Sequence, residues 1–243
     1  MIKMVAIIQA RMGSTRLPGK ILKKVQGKTL LEIQLERLRH STLIQQVVVA
    51  TTTLAKDDPV VDLCKQLNID FYRGSEEDVL SRYYEAAVKF KANVIVRLTS
   101  DCPLIDPSIV DEVINIYFSK IDIDYVSNTL ERTYPRGLDV EIFSFKALQQ
   151  AYLEAVLQSD REHVTPFLYS NPKLFVIESV KCKQDYSNFR WTVDTPEDFE
   201  MIKRIINELY RDNELFYMQD IVQMLATNPE WSKINAHIEQ KKL

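Results

Sequence analysis

The sequence predicts an α/β fold with a mostly parallel central sheet and helices on both faces. Short apolar runs alternate with segments of helical periodicity through the first half of the chain. The runs are apolar throughout, which is typical of strands buried on both faces. A chain of 243 residues is also long enough to bury one sizeable core.

The predicted elements of the first half follow in order. Strands are expected at Met4–Ile8, Gln46–Thr51, Ile69–Tyr72 and Asn93–Leu98, and helices at Thr29–His40, Pro59–Leu67, Val79–Phe90 and Pro107–Phe118. Strands that alternate with helices form parallel sheets. The carboxyl ends of such strands meet at one edge, where ligands bind.

The second half alternates less regularly. Strands are expected at Asp124–Ser127, Val140–Phe143 and Leu174–Val180, and helices at Phe145–Leu157, at Arg161–Leu168, from Thr195-Pro196 onward, and as a pair between Gln219 and Leu243 broken near Asn228-Pro229. Thr as N-cap, Pro at the first position and acids in the first turn predict the start at 195. We expect a single domain, 1–243, in which 124–188 is an irregular inserted subdomain.

The amino-acid composition excludes some classes of function. The chain has 31 Lys and Arg against 34 Asp and Glu, a formal charge of −3. That balance argues against a nucleic-acid binder, which shows a broad basic face. No stretch approaches the roughly 20 apolar residues of a membrane span. The three cysteines, Cys64, Cys102 and Cys182, are widely spaced and suit a reducing compartment, so we expect a cytoplasmic protein.

A basic loop, Gln9–Lys20, follows the first predicted strand. From Arg11 to Lys28 there are two arginines, four lysines and no acidic residue. Glycine lets backbone N–H groups approach an oxyanion, and Arg and Lys add charged donors. The spacing matches neither the P-loop nor the dinucleotide fingerprint. The loop is interpreted as a phosphate site, and the alternative is a solvated basic turn.

Two carboxylates lie next to predicted strand or helix ends. Asp101 follows the strand Asn93–Leu98, and Asp194 directly precedes the helix start at Thr195. Mg²⁺ prefers oxygen ligands and commonly binds one or two carboxylates together with substrate phosphates. Asp101 could instead have a local role, as a turn cap before Pro103. Asp198 is better explained as first-turn helix charge.

These motifs resemble those of a known family. The run Ile7-Ile8-Gln9-Ala10-Arg11-Met12-Gly13-Ser14-Thr15-Arg16-Leu17-Pro18-Gly19-Lys20 is similar to I-I-P-A-R-x-G-S-x-R-L-P-G-K. That signature opens the cytidylyltransferases that activate acidic sugars, the CMP-ketodeoxyoctonate and CMP-sialic acid synthetases. Gln9 stands where the family usually has Pro. The branch named for a spore coat polysaccharide biosynthesis protein, SpsF, is similar along nearly the whole chain.

The resemblance implies a fold like that of nucleotide-diphospho-sugar transferases. It also implies an activity: transfer of CMP from CTP to an acidic or related sugar, with release of pyrophosphate, for surface polysaccharide biosynthesis. Mg²⁺ is the implied cofactor. The implied partners are a nucleoside triphosphate and a sugar acceptor, and a second copy in a homodimer joined through 124–188.

The resemblance assigns roles by position. Residues Arg97–Leu104 and Val193–Asp198 are similar to the family's metal motifs, so Asp101 and Asp194 are the expected metal ligands. The expected catalytic residues are Arg11, Lys20 and Asp101. The expected nucleotide contacts are Ala10, Arg11, Gly13, Ser14, Arg16, Lys20, Arg73, Ser75, Asp78 and Arg82. The expected sugar contacts come instead from the irregular part of the chain, where acceptor binding would vary: Arg136, Asp139 and Glu141. Glu162 and His163, in an unusually polar helix start, are added to them, and a structural role is the alternative for both.

Two other functions stay open. A glycosyltransferase of the related fold would carry an Asp-x-Asp metal motif after a strand, and Asp122-Ile123-Asp124 is the literal match. A non-catalytic subunit could bind a nucleotide without turnover. The joint presence of Arg11, Lys20, Asp101 and Asp194 favours the transferase.

Overall fold

The structure is a computed structural model that describes residues 2–211 and 214–240. Its strands are β1 (Met4–Gln9), β2 (Lys24–Val25), β3 (Lys28–Thr29), β4 (Gln46–Thr52), β5 (Asp70–Gly74), β6 (Val94–Thr99), β7 (Tyr125–Ser127), β8 (Glu141–Ser144) and β9 (Ile177–Ser179). Its helices are α1 (Leu30–Leu38), α2 (Asp58–Gln66), α3 (Val79–Lys89), α4 (Pro107–Ser119), α5 (Phe145–Glu154), α6 (Gln158–His163), α7 (Pro166–Tyr169), α8 (Pro196–Leu209) and α9 (Met218–Thr227).

Within these ranges, seven strands form a central sheet in the order β5-β4-β1-β6-β8-β7-β9, and β2 and β3 form a separate small hairpin. Strands β1, β4, β5 and β6 are mutually parallel where they pair. Strand β8 is antiparallel to both of its neighbours, and β9 is parallel to β7. The prediction of a mostly parallel sheet is therefore confirmed.

Both faces of the sheet are covered, as the apolar strands predict. On β1, Ala6 and Ile8 pack against residues of α1, α4, α8 and α9, whereas Val5 and Ile7 pack against residues of α3, α5 and α7. All four side chains are fully buried. The alternation of side chains along a strand assigns successive residues to opposite faces. No helix of the described ranges is long and apolar enough to cross a membrane.

Two helix predictions were wrong in detail. The segment Arg161–Leu168 forms two short helices, because Val164 has φ +74° and the N–H of Thr165 bonds the carbonyl of His163 at 2.9 Å, which closes a γ-turn. The second C-terminal helix is a single 3₁₀ turn, Trp231–Lys233. Proline at 229 disfavours helical backbone at the preceding residue and so ends α9. Residues 241–243 of that prediction lie outside the described residues.

Candidate active site

The basic loop folds back on itself at the carboxyl end of β1. The carbonyl of Met12 accepts hydrogen bonds from the N–H groups of Ser14 at 2.9 Å and Gly19 at 3.1 Å. Gly19 has φ +65°, a left-handed conformation that favours glycine. The fold-back returns Lys20 to the strand end from which the loop departed.

A buried carboxylate holds the loop from below. Asp57, which is fully buried, accepts a hydrogen bond from the N–H of Met12 at 2.6 Å and another from the hydroxyl of Thr52. Sequence reasoning missed this residue. In the run Lys56-Asp57-Asp58-Pro59 it resembles an ordinary helix start, and nothing local signals a partner 45 residues away.

One ammonium group of the loop contacts both predicted metal ligands. Lys20 Nζ lies 2.7 Å from Asp194 Oδ1 and 3.2 Å from Asp101 Oδ2. The exposed fractions of the three side chains are small: 12% for Lys20, 13% for Asp194 and 25% for Asp101. Three segments that are far apart in sequence therefore converge at the carboxyl edge of the sheet.

The protonation states at this cluster follow from its geometry. Burial lowers the pKa of Lys20, but Asp101 and Asp194 raise it more, so the net shift is upward. Burial raises the pKa of Asp101, but Lys20 and the Thr99 hydroxyl lower it more, so the net shift is downward. Lys20 is therefore positively charged and Asp101 ionised at neutral pH.

Two arginines contact the other oxygen of Asp194. Arg16 and Arg190 each place Nη2 at 3.0 Å from Asp194 Oδ2. Arg190 is 7% exposed and also pairs with the fully buried Asp198 at 2.8 Å. Asp198 closes the predicted N-terminal turn of α8 in a capping box with Thr195. The position of Asp198 in the helix did not reveal this buried ion pair with Arg190.

The segments of the two carboxylates are joined by their backbones. The carbonyl of Asp101 accepts a hydrogen bond from the N–H of Val193 at 2.8 Å. The buried side chain of Gln34 on α1 donates to the carbonyl of Thr99 at 2.8 Å. The first bond joins the segment after β6 to the segment that precedes α8, and the second joins the end of β6 to α1.

The predicted nucleotide contacts at the end of β5 and after it are held by bonds to other parts of the protein and to one another. Arg73 donates to the carbonyls of Thr52 at 2.8 Å and Leu54 at 3.0 Å. Ser75 accepts a bond from the N–H of Asp78 through its hydroxyl and, through its carbonyl, one from Arg82.

Of these residues, Arg82 faces inward and Asp78 faces α6. Arg82 is 1% exposed, and Asp78 caps α3 while pairing with Arg161. The guanidinium of Arg11 lies 3.8 Å from the carboxylate of Glu76, in the same segment as Ser75 and Asp78. Ala10 is buried and donates its N–H to the carbonyl of Ala50 at 3.1 Å, and Gly13 runs past Lys56 and Glu76.

Two of the predicted sugar contacts, Arg136 and Asp139, lie beside the carboxylates of the site. Asp139 forms a two-point ion pair with Arg132, with distances of 2.6 and 3.1 Å. The half-buried guanidinium of Arg136 makes no hydrogen bond or ion pair with the described residues. Burial and the neighbouring charges of Arg132 and Arg190 lower the pKa of Arg136.

Gly137 allows this segment to approach the end of the sheet. A Cβ atom there would lie 2.5 Å from the carbonyl carbon of Trp191, and the residue has φ +105°. The neighbouring carbonyl of Arg136 accepts a bond from the N–H of Trp191 at 2.6 Å. Only glycine fits this contact.

The remaining sugar candidates lie on β8 and α6. Glu141 is 7% exposed and bonds Arg97, Tyr125 and Thr165. Glu162 is exposed, and His163 is half-buried.

The Asp-x-Asp motif of the glycosyltransferase alternative lies away from this site. Ser127 at the end of β7 pairs with Glu141, and Glu141 pairs with Arg97 near the end of β6. The residues that precede β7 are therefore at the opposite, amino edge of the sheet. There Asp124 accepts a hydrogen bond from the N–H of Val176 at 3.0 Å.

The site fits a cation that takes only a few protein ligands. The part of the chain that the structure describes contains no cluster of three or more His, Cys, Asp or Glu side chains with metal-binding geometry. Asp101 and Asp194 nevertheless contact one ammonium group, so a single cation position is within reach of both. Two carboxylates completed by phosphate oxygens and water suit Mg²⁺.

Comparison with known proteins gives consistent matches. Residues 5–230 match the profile of a family described as Cytidylyltransferase. The chain is 38% identical to an uncharacterized protein of Methanocaldococcus jannaschii, over 98% of this chain and 97% of the relative. It is 32% identical to the spore coat polysaccharide biosynthesis protein SpsF of Bacillus subtilis, over 92% and 94%. A solved cytidylyltransferase from Leptospira borgpetersenii superposes with a TM-score of 0.91 at 35% identity, covering both chains fully.

Proposed function

The chain belongs to the cytidylyltransferase family, and from this premise we propose that it transfers CMP from CTP to an acidic or related sugar and releases pyrophosphate. One observation carries the proposal. Lys20 of the basic loop bonds both Asp101 and Asp194, which brings a phosphate-binding loop and two carboxylates to one edge of the sheet.

The loop is the proposed binding site for the triphosphate. Its backbone N–H groups and the side chains of Arg11, Ser14, Arg16 and Lys20 supply donors to phosphate oxygens. A sugar hydroxyl attacks the α-phosphorus, and pyrophosphate leaves. Arg11 and Lys20 neutralise the charge that develops on the leaving group. Such preorganised charge and alignment provide most of the rate in reactions of this kind.

Asp101 and Asp194 are the proposed ligands of Mg²⁺. When bound, the metal lowers the pKa of the attacking hydroxyl or neutralises phosphate oxygens. Asp194 already receives Lys20, Arg16 and Arg190, so its charge is strongly compensated. Lys20 can transfer from the carboxylates to the phosphates because its long side chain is flexible.

The sugar is proposed to lie against the segment that contains Arg136. Its guanidinium is half-buried and has no hydrogen bond or ion pair with the described residues, unlike that of Arg132. A guanidinium binds a carboxylate through two parallel hydrogen bonds. This free donor set supports an acceptor that carries a carboxylate. Asp139, Glu162 and His163 are proposed to contact the hydroxyl groups of the sugar. Glu141 is buried and is proposed to support the sugar site through its bonds to neighbouring side chains.

The base and ribose are proposed to lie toward the segment after β5. Arg73, Ser75 and Asp78 form its rim, and Arg82 supports that rim from below through the carbonyl of Ser75. The free thiols of Cys64, Cys102 and Cys182 and the need for CTP support a cytoplasmic reaction. The resemblance to SpsF supports a role in surface polysaccharide biosynthesis.

The decisive experiment measures pyrophosphate release from CTP in the presence of a panel of acidic sugars, with and without Mg²⁺. The variant Asp101→Ala is expected to lose Mg²⁺-dependent release. The matched control is Asp62→Ala, which removes an exposed carboxylate on α2. Full Mg²⁺-dependent activity in Asp101→Ala would exclude this aspartate as a ligand. Binding of CTP without turnover on any sugar would favour a non-catalytic subunit instead.

A homodimer through 124–188 is also proposed. In this segment, Leu153, Val156 and Leu157 expose 72%, 88% and 62% of their surfaces beside the end of α5. Adjacent exposed apolar side chains often mark an interaction surface. Light scattering is expected to give the mass of two chains, and Val156→Asp to shift it toward one. A single-chain mass for the unaltered protein would exclude the dimer.

A further inference from the structure

Gln9 ends β1, and its side chain is fixed by an arginine of the neighbouring strand β6. Arg97 Nη2 donates to Gln9 Oε1 at 3.1 Å. A guanidinium has donors but no acceptor. The oxygen of the carboxamide, and not its nitrogen, must therefore face Arg97. The orientation of the Gln9 amide is thus set by the chemistry of its neighbour.

The arginine is itself held by a buried polar network. Arg97 pairs with Glu141, whose other carboxylate oxygen accepts hydrogen bonds from Tyr125 at 2.5 Å and Thr165 at 2.6 Å. Burial lowers the pKa of Arg97, but Glu141 raises it more, so the net shift is upward. The guanidinium is permanently charged, and it keeps the carboxamide oxygen of Gln9 as an acceptor.

Backbone strain lies next to this network. Val164 is fully buried and has φ +74°, a conformation that is uncommon for a β-branched residue. The γ-turn at Val164 leads directly to Thr165, whose hydroxyl contacts Glu141. Strain of this kind persists only where the surrounding structure enforces it, and it is concentrated at functional sites.

The free end of the Gln9 amide lies where a ligand is expected. Gln9 is half-buried, and its NH2 group donates no hydrogen bond within the described residues. The sheet order places β4 and β5 on one side of β1 and β6 on the other, so the chain changes direction between β1 and β6. Open α/β sheets bind ligands at such a switch point, outside the carboxyl ends of the strands.

We propose that Gln9 selects cytosine over uracil by donating a hydrogen bond from Nε2 to ring nitrogen N3 of the base, with Arg97 and Glu141 as positioning residues. Cytosine N3 is an acceptor, whereas uracil carries a hydrogen there and is a donor. Because Arg97 holds the carboxamide oxygen, Gln9 cannot rotate to accept from uracil. This inference rests on the proposed function, in which CTP is the nucleotide.

The test is calorimetric binding of CTP and of UTP, each with Mg²⁺ and without a sugar. The unaltered protein is expected to bind CTP at least about tenfold more tightly than UTP, since a buried donor facing a donor is strongly unfavourable. Gln9→Met keeps the length of the side chain and removes its donors. It should weaken CTP binding about tenfold. Because it also removes the donor that opposes the N3–H of uracil, it should make UTP binding somewhat tighter and so abolish the preference. The matched control is Gln46→Met, at the start of β4 and bonded to Asp70, which should keep the preference.

A second variant tests the positioning residues. The double change Arg97→Met with Glu141→Gln removes both buried charges together, so neither is left unpaired. The freed amide of Gln9 can then rotate and present its oxygen to uracil. UTP affinity should rise while CTP affinity falls, whereas damage to the fold would lower both. A Gln9→Met protein with the original CTP preference would overturn the inference and leave the proposed function standing. An unaltered protein that binds no CTP would overturn both.

Discussion

Lys20 Nζ lies 2.7 Å from Asp194 Oδ1, across 174 residues of sequence. The same ammonium group lies 3.2 Å from Asp101. One cation therefore compensates two carboxylates that end separate segments of the fold. Because the side chain of Lys20 is only 12% exposed, this charge pairing is weakly screened by solvent. The loop is thus fastened to the two carboxylates that are proposed to receive the metal.

The first prediction removes this cation. Lys20→Met should reduce the rate of pyrophosphate release from CTP by about 10²–10³, as expected for loss of a preorganised charge at the leaving group. Steady-state assays with saturating Mg²⁺ measure the effect. Lys24→Met, which removes an exposed lysine of the same basic segment, is the matched control and should keep nearly full activity. Similar losses in both variants would show that the general charge of the segment matters and the position of Lys20 does not.

The second prediction concerns stability against pH. Burial raises the pKa of Asp198, but hydrogen bonds from Arg190 and Asn235 lower it more, so its folded pKa lies below its ordinary value of 3.8. A depressed carboxyl pKa stabilises the fold fully above the unfolded value, and this stabilisation is lost as the pH falls through the folded pKa. The pKa of Asp101 is also shifted downward, so its contribution to stability changes with pH in the same direction. Denaturant unfolding should therefore show a steep loss of stability below about pH 4.

Asp198→Asn tests the origin of that loss. It removes a fully buried charge from a two-point pair with Arg190, so it should lower the free energy of unfolding at pH 7 by about 3 kcal/mol, the lower end of the range for broken buried pairs, because Asp194 remains as a partner. The deficit should shrink at low pH. Glu197→Gln, in the same helical turn, should cost less than about 1 kcal/mol. A deficit that does not change with pH would contradict the assignment.

The sequence predicted the convergence of these residues better than it predicted the residues that hold them in place. The strand-end rule placed the basic loop and Asp101 at one edge, the family resemblance added Asp194, and the structure joins all three through Lys20. That rule needs only the alternation of strands and helices. Asp57 and Arg97 could not be assigned in this way, because their roles depend on partners 44 to 45 residues away.

Local geometry explains the other differences. The break between α6 and α7 comes from a positive φ at Val164, which helical periodicity does not reveal. Asp78 has the residue type of a ligand contact, yet it pairs with Arg161 on α6, 83 residues further along the chain. The buried role of Glu141 likewise depends on Tyr125 and Thr165, which only the folded chain brings together.

The third prediction uses the close contact of Gly137. Gly137→Ala should destabilise the protein by about 2–6 kcal/mol, the sum of backbone strain and overpacking. Its Cβ would lie 2.5 Å from the carbonyl carbon of Trp191, a backbone atom that cannot rotate away. Gly27→Ala is the matched control, because Gly27 has φ +82° with nothing within 4 Å. It should cost only the strain, about 1–3 kcal/mol. Equal losses in the two variants would show that the contact with Trp191 can relax.

The fourth prediction concerns Asp57, which touches no expected ligand but anchors the loop. Asp57→Ala leaves the N–H of Met12 and the hydroxyl of Thr52 without their partner. An unsatisfied buried group costs about 1–3 kcal/mol. Part of this cost should appear as lower stability in denaturant unfolding. The rest should appear as a KM for CTP raised about tenfold, because the loop is no longer held in its binding conformation.

The split between these two readouts distinguishes an anchor from a purely structural residue. Asp57→Asn restores an acceptor for Met12 in a side chain of the same shape, so it should recover most of the CTP affinity while retaining part of the stability loss. Asp62→Ala, which alters an exposed carboxylate on the adjoining helix, should change neither quantity. If Asp57→Ala lowers stability and leaves the KM for CTP unchanged, the loop keeps its conformation without this carboxylate, because the fold-back at Met12 and Gly19 is then sufficient to hold it.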